Sequence, residues 1–521
     1  MIDDARTIPD GSVLRFDICI VGAGAAGITL AREFEGQSFS VLLVESGSFE
    51  FNDRTQALYA GEISQGLYEL DVSRLRYFGG CTNHWGGVCR PFDADDFSTR
   101  PWIPDSGWPI TIADVAPYYD PACDIVQLPT KHWDNVSWEE SLAEFYRLPF
   151  MGKRIAGAIF QLSPPTRFGE VYREPLEQSA NVRTLLNANV VEIAADPSGR
   201  HVTALRVACL DGPNFSITAR IVVIAMGAVE TARLMLASNA QSPAGIGNSY
   251  DLVGRYYANH PGFYAADIVL SEPADVMARP LSAMQTILPR LIVTPQEAAR
   301  EQLAKFSAWA NPVSKDGRLD PSDGYVALRS LFRDIRRGQL PSDLMDKLGR
   351  LLGDLDGTAR DIWNRTSAAT MIRLDPEWET VPNPDSRVTL IAERDSVGMQ
   401  KVRVDWRLST LDIHTVQRSI EIIGEVVGEA GFGRVHVHEW LQSGPTPSTF
   451  PGHENYHPAS TTRMSDDTKR GVVDRHCRVH GIDNLYIAGA SVFPTVSAVN
   501  PTLTVVALSL RLAEHLKSSM A

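Results

Sequence analysis

An α/β fold in two domains is what this sequence predicts, and three observations carry the prediction. An apolar strand near the N-terminus runs into a glycine turn and then a helical pattern. A second strand with the composition of a buried parallel strand lies close to the C-terminus. The length, 521 residues, exceeds what one hydrophobic core usually covers, and 44% hydrophobic residues are enough to give each of two domains a core of its own.

The first element, Asp17-Ile-Cys-Ile-Val-Gly-Ala-Gly-Ala-Ala-Gly27, is a buried strand entering a turn marked by Gly22, Gly24 and Gly27, with the helical pattern Ile28 to Phe34 after it. Glycine at these places permits a tight turn, close approach of the backbone to a pyrophosphate and close helix-to-strand packing, while the helix N-terminus faces the negative charge. A second strand, Val41 to Val44, ends in Glu45, eighteen residues after Gly27. A carboxylate there accepts hydrogen bonds from ribose hydroxyls and repels a 2′-phosphate. The order of strand, turn, helix, strand and acid defines a Rossmann-like dinucleotide site, which by this motif alone suits FAD and NAD equally.

Phe49 to Trp108 is polar and rich in glycine and aromatics, too long for an ordinary connection, and loops of that length are often functional. Asn189 to Ala194, Val202 to Ala208 and Ile217 to Ile224 then read as strands of a small meander returning to the parallel sheet, followed by a helical run, Ala228 to Ala237. From about Ala265 to Glu454 strand-like runs (Val388 to Ile391, Val402 to Trp406) mix with helical ones (Asp343 to Trp363, Asp412 to Ala430), which predicts an α+β substrate-binding domain. Within it, Leu331 to Asp361 has alternating charge and leucines at helical spacing, as in a solvated helix packed on its own domain. Asn484 to Gly489 and the helix Pro501 to Leu516 rejoin the first sheet. The expected division is 1–264 with 455–521 for the dinucleotide domain and 265–454 for the substrate domain.

A net charge of −14 and a pI near 5.4 argue against nucleic acid or anionic membrane as the main partner and suit small neutral or cationic substrates. No stretch has the length and apolarity of a membrane span, and the first residues lack the basic and apolar regions of a secretory signal, so a cytoplasmic location is expected. Six scattered cysteines show neither zinc-site spacing nor a disulfide framework; reduced thiols and no metal are the expectation.

Three further blocks bear on chemistry: Arg74-Leu-Arg-Tyr-Phe-Gly-Gly-Cys-Thr-Asn-His84-Trp-Gly-Gly87, Met226-Gly-Ala-Val-Glu-Thr-Ala-Arg-Leu-Met235, and His457-Pro-Ala-Ser-Thr-Thr-Arg-Met464 with Asn500-Pro-Thr-Leu-Thr504. Neutral imidazole is the side chain best tuned to take a hydroxyl proton near neutral pH, and an asparagine beside it can hold the oxygen without competing for that proton. In structural terms His457 could instead be a hydrogen-bonded core histidine and Asn500 a helix cap ahead of Pro501. Apart from His84, the other ten histidines have no comparable setting in the sequence.

Together with the N-terminal fingerprint, these blocks resemble the glucose-methanol-choline (GMC) oxidoreductase family of FAD enzymes from about Phe16 to His515. Smaller agreements at Asp251-Leu-Val-Gly-Arg255, His260-Pro261 and Pro382-Asn-Pro-Asp-Ser-Arg387 fall in the same order. The resemblance implies a GMC fold, FAD as cofactor, and oxidation of a C–OH group of a sugar, glycoside or related polyol by hydride transfer to flavin N5. It assigns His457 as base and Asn500 as its partner. A non-sugar alcohol is the alternative substrate, and a lyase with structural FAD the alternative chemistry. The electron acceptor, whether oxygen, a quinone or a protein, is left open.

Carried over residue by residue, the cofactor contacts are Gly22, Gly24, Gly27, Glu45, Gly80, Thr82, Asn83, His84, Val190, Gly227, Gly489, Ala490, Pro501 and Thr502. Thr82 and Asn83 are expected near the flavin N5 and O4 edge, and Val190 at the adenine. His84 resembles the site where pyranose 2-oxidases join a histidine to the flavin 8α-methyl group, which leaves covalent and noncovalent contact as two readings. One departure stands out: Ser460 occupies a turn position where the family usually has glycine, which makes the backbone less permissive just after His457.

Overall fold

The structure, a computed structural model, describes all residues except 65–67, 129, 134–147, 165, 275–279, 283–284, 314–321, 337–342, 367–368, 445–453 and 521. The strands Val13–Val21 and Val41–Val44 lie side by side, parallel, with Ile18 opposite Val41 and Val21 opposite Val44. Ile18 to Ile20 and Val41 to Leu43 are completely buried, as a parallel strand covered on both faces must be. The full sheet runs in the order Ile2–Asp4, Val182–Leu186, Val41–Val44, Val13–Val21, Asn214–Ile224, Val202–Ala208, Asn189–Ala195. Leu485–Ile487 pairs in parallel with Asn214–Ile224, so the C-terminal strand does return to the first sheet. The helix Thr502–Met520 follows it and packs on Ala25–Glu33 and Ala116–Ile125.

A second sheet has the order Gly433–Val437, Ala266–Ala274, Ala369–Trp378, Phe306–Pro312, Gln285–Val293, Ile155–Leu162, Val88–Cys89. The helix Thr410–Glu429 covers it, placing Val416, Ile420, Ile423 and Val427 in a core with Ile268, Ile372 and Trp378. That helix starts where Ser409 and Asp412 form a reciprocal capping box.

The expected division is crossed twice. Ile155–Leu162 and Val88–Cys89, from the N-terminal part, complete the second sheet. Conversely, Val388, Val402, Val404 and Trp406 pack into the first core, and Gln400–Asp405 pairs with Glu62–Ile63. The helical run expected over Asp343 to Trp363 is two helices, Leu344–Gly353 and Leu355–Thr366, broken at Asp354 after a glycine. Between the sheets, Ala258–Pro261 and Glu454–Ala459 form a two-stranded antiparallel pair with an irregularity between Ala258 and His260.

Candidate active site

A cavity of about 600 Å³ runs from the first glycine turn to this strand pair. A Cβ on Gly27 would sit 1.8 Å from the Gly22 carbonyl oxygen, so helix and strand can meet only at glycine. Gly24 and Gly489 are different: both line the cavity, and a Cβ there would meet nothing within 4 Å. These missing side chains leave bare backbone facing open space, the arrangement a pyrophosphate-containing cofactor requires.

Glu45 is buried at the end of its strand and accepts hydrogen bonds from the Ala23 and Gly47 backbone N–H groups, both at 2.9 Å. It therefore braces the turn as well as lining the cavity. Gly22, Gly80, Thr82, His84, Val190, Gly227, Ala490, Pro501 and Thr502 also line the cavity. Gly27 lies behind the wall. Asn83 is not among the lining residues; its side-chain nitrogen donates to the Phe78 carbonyl at 2.9 Å. The Thr82 hydroxyl donates to the Gly79 carbonyl at 2.7 Å and accepts from the Phe168 N–H at 3.2 Å. Both side chains thus have partners within the loop they belong to. His84 opens on the cavity, where burial and then the charge of Arg167 lower its imidazole pKa below the ordinary value.

Behind the dinucleotide end lies a charge cluster of Arg74, Arg76, Glu230 and Arg233, which stand in the quoted blocks but received no role from sequence, with Asp395 from outside them. Buried Glu230 meets Arg74 at 2.9 Å, Arg233 at 3.2 Å and Arg76 at 3.3 Å, and Arg233 also meets Asp395 at 2.6 Å. Burial by itself would raise the Glu230 carboxyl, but the charges of Arg233, Arg74 and Arg76 bring it down to about 2. Three guanidiniums against two carboxylates leave one positive charge, and Arg74 and Arg76 bring it to the cavity wall. That charge suits the negative phosphates of a dinucleotide.

At the other end the strand pair brings His260 and His457 together. The buried Asn259 side-chain oxygen accepts from the backbone N–H of His260 at 2.9 Å and of His457 at 2.8 Å, tying the two strands at the residues that matter. The ring Nδ1 atoms of the two histidines are 2.9 Å apart. His260 Nε2 is 2.9 Å from the Ser497 carbonyl oxygen and 3.2 Å from that of Val496. A carbonyl can only accept, so His260 carries its proton on Nε2 and, when neutral, can only accept at Nδ1. His457 must then donate from Nδ1, which leaves its Nε2 unprotonated. That atom lies 3.3 Å from Asn500 Nδ2, and both residues line the cavity. The backbone carbonyl on His260 thus sets the tautomer of the neutral His457 ring.

Glu377 completes the cluster, with Oε1 at 3.0 Å from His260 Nδ1 and 3.4 Å from His457 Nδ1. Its other oxygen is bound by Arg290, whose guanidinium also donates to Ser307 at 3.1 Å and stacks 3.9 Å over Trp309. Burial would raise this carboxyl, yet the charge of Arg290 holds it well below the usual range. Burial lowers the pKa of His457, with Glu377 opposing the shift. The site therefore keeps the imidazole neutral at rest and places a carboxylate beside it when it gains a proton.

The expectation that no other histidine shares the setting of His457 is corrected here: His260 is its direct partner. Glu377, Arg290 and Trp309 were also missed. One signal was available, since His260-Pro261 and His457-Pro458 are the two His-Pro pairs in the chain. Ser460 sits at φ +71°, the left-handed region glycine favours, and its N–H donates to the Ala490 carbonyl at 3.0 Å. The backbone keeps the turn despite the side chain, whose buried hydroxyl has no hydrogen-bond partner.

A strand–turn–helix unit of the kind that cradles a dinucleotide shares one cavity with a neutral imidazole, an arrangement that suits a dinucleotide-dependent oxidoreductase. Residues 382–509 match the family described as GMC oxidoreductase. The chain is 25% identical to 6'''-hydroxyparomomycin C oxidase of Streptomyces lividus, over 97% of this chain and 92% of that protein. It is 24% identical to paromamine 6'-oxidase of Streptomyces fradiae, over 96% and 91%. In fold it is similar to formate oxidase of Aspergillus oryzae RIB40, at a TM-score of 0.56 and 16% identity over 98% of this chain and 99% of that one. Residues 382–509 thus match the GMC oxidoreductase family, and the chain is similar to these oxidases over nearly its whole length. FAD is the cofactor this likeness implies, and the bare glycine backbone, Glu45 and the net positive Arg74–Arg76 wall fit it.

Proposed function

We propose that the protein oxidises a C–OH group of a sugar, glycoside or related polyol, with His457 as base and Asn500 as its partner. The observation that carries this reading is the hydrogen-bond chain from the Ser497 carbonyl through His260 to His457 Nδ1, which leaves Nε2 of the neutral ring free to accept a proton at the wall of the cavity that also contains the dinucleotide turn. FAD, when bound, supplies the acceptor for the hydride that leaves the substrate carbon. His457 takes the hydroxyl proton at Nε2, and Glu377 offsets the positive charge so created. The Asn500 amide nitrogen, already directed at the base, holds the alcohol oxygen in line. Sugars are favoured over simple alcohols by the activities named for the two Streptomyces relatives and by the polar ends and aromatic wall, Trp309 and Tyr456, of the cavity.

His84 is read as a noncovalent flavin contact. Acid precipitation should leave the yellow colour in the supernatant; a yellow pellet would make His84 the attachment point that its likeness to pyranose 2-oxidases suggests. The cytoplasm is the location this reading adopts, in keeping with six unpaired cysteines. Among the described residues, no helix is long and apolar enough to cross a membrane.

The test is to mix the purified yellow protein anaerobically with monosaccharides, glycosides and simple alcohols and follow the visible flavin absorbance. Bleaching by a sugar is expected. A flavin bleached by dithionite and by none of the alcohols would overturn the reading.

A further inference from the structure

We infer that His260, Glu377 and His457 form a binding site for a divalent transition-metal ion of the zinc class, which switches the base off by changing its tautomer. The two Nδ1 atoms and Glu377 Oε1 are separated by 2.9, 3.0 and 3.4 Å. Zinc ligands at about 2 Å from the metal lie roughly 3.3 Å apart in a tetrahedron, so the two shorter edges need open by only a few tenths of an ångström. Among the described residues these three form a group whose ligand atoms all converge within reach of one ion.

Two further features point to a ligand. Glu377 Oε1 is buried and, although close to both rings, is aligned with neither as a hydrogen-bond acceptor. His260 Nε2 already donates to a backbone carbonyl, the outer support that orients a metal-bound histidine and leaves Nδ1 for the metal. The choice of ion follows from charge. Arg290 sits on the other Glu377 oxygen and repels a cation held only by electrostatics. Magnesium and calcium, which need several oxygens, are disfavoured, whereas zinc or copper gains most of its affinity from the two neutral imidazoles.

Binding requires no net proton release. The proton on His457 Nδ1 moves to Nε2 as Nδ1 takes the metal, so the atom that would accept the hydroxyl proton becomes an N–H donor. Asn500 can accommodate the change: its Oδ1 is buried with no hydrogen-bond partner, and turning the amide over lets that oxygen accept from Nε2–H. The metal site stands on geometry alone. Its consequence for turnover rests on His457 acting as the base.

The flavin-loaded protein, freed of metal by chelator and dialysis, should be titrated with zinc against a chromogenic chelator. One equivalent should bind with a dissociation constant of about 10 µM or below near neutral pH. His260→Gln and His457→Ala should each weaken that equivalent about 100-fold, because each removes one of three ligands. The flavin spectrum checks that each variant is folded, and His457→Ala changes a partly exposed strand position should the buried His260→Gln fail to fold. Absence of the tight equivalent, or affinity changed less than about tenfold in the folded variants, overturns the proposal. Since binding is read without turnover, failure of the sugar reading leaves this result standing. Zinc that slows reduction by substrate but not by dithionite would support the tautomer switch.

Discussion

The two buried charge clusters at opposite ends of the cavity use the same parts to different effect. At the dinucleotide end Glu230 is held by three guanidiniums and the surplus charge is positive and fixed. At the His457 end Glu377 has one guanidinium, Arg290, and two imidazoles, so the pair is close to neutral and can answer a proton gained by His457. The first cluster can be expected to hold, the second to respond. A carboxylate surrounded by permanent cations stabilises a fold; one balanced against a single cation beside a titratable ring serves chemistry.

The largest effect should come from breaking the responsive cluster. Glu377→Gln leaves the Arg290 guanidinium buried without its anion, costing about 3–5 kcal/mol of stability, and removes the counter-charge of the protonated base, slowing flavin reduction by about 100-fold. Thermal unfolding and anaerobic stopped-flow measurements read the two losses separately. Glu230→Gln should match it in stability, about 3–5 kcal/mol, and loosen the flavin, while the rate per bound flavin falls far less. Comparable slowing in both variants would erase the distinction between the clusters.

Acid sharpens the comparison. The folded Glu230 pKa, about 2, lies below its ordinary 4.5, so its contribution is complete above about pH 4.5 and is lost as pH falls toward 2. The loss amounts to roughly 3 kcal/mol, and should be missing from the acid-unfolding curve of Glu230→Gln. The smallest effect belongs to Ser460→Gly, which relieves a left-handed backbone and a buried hydroxyl without a partner; unfolding should show a gain of about 1 kcal/mol.

What could be read from the sequence follows the same line between local and assembled structure. Gly22, Gly24, Gly27 and Glu45 lie within one strand–turn–helix–strand unit, and His457 and Asn500 stand in distinctive local runs, so their pattern is visible in the chain. His260, Arg290 and Glu377 come from three strands distant in sequence, the first in the two-stranded pair and the other two in a sheet that sequence periodicity did not reveal. The strands Ala266–Ala274, Gln285–Val293 and Ala369–Trp378 carry Pro273, Pro289 and Pro376, residues that argue against a strand because proline cannot donate to the ladder. The domain division blurred for a related reason: Ile155–Leu162 pairs across a long separation with Gln285–Val293, and only tertiary packing sets that register.

The most direct test of the central claim compares wild type with His457→Ala in anaerobic single-turnover reduction by the best sugar substrate, with dithionite as control. The variant should bind its flavin and be reduced normally by dithionite, but be reduced by the sugar about 100- to 10,000-fold more slowly. An unchanged rate with sugar would contradict it and remove His457 from the chemistry.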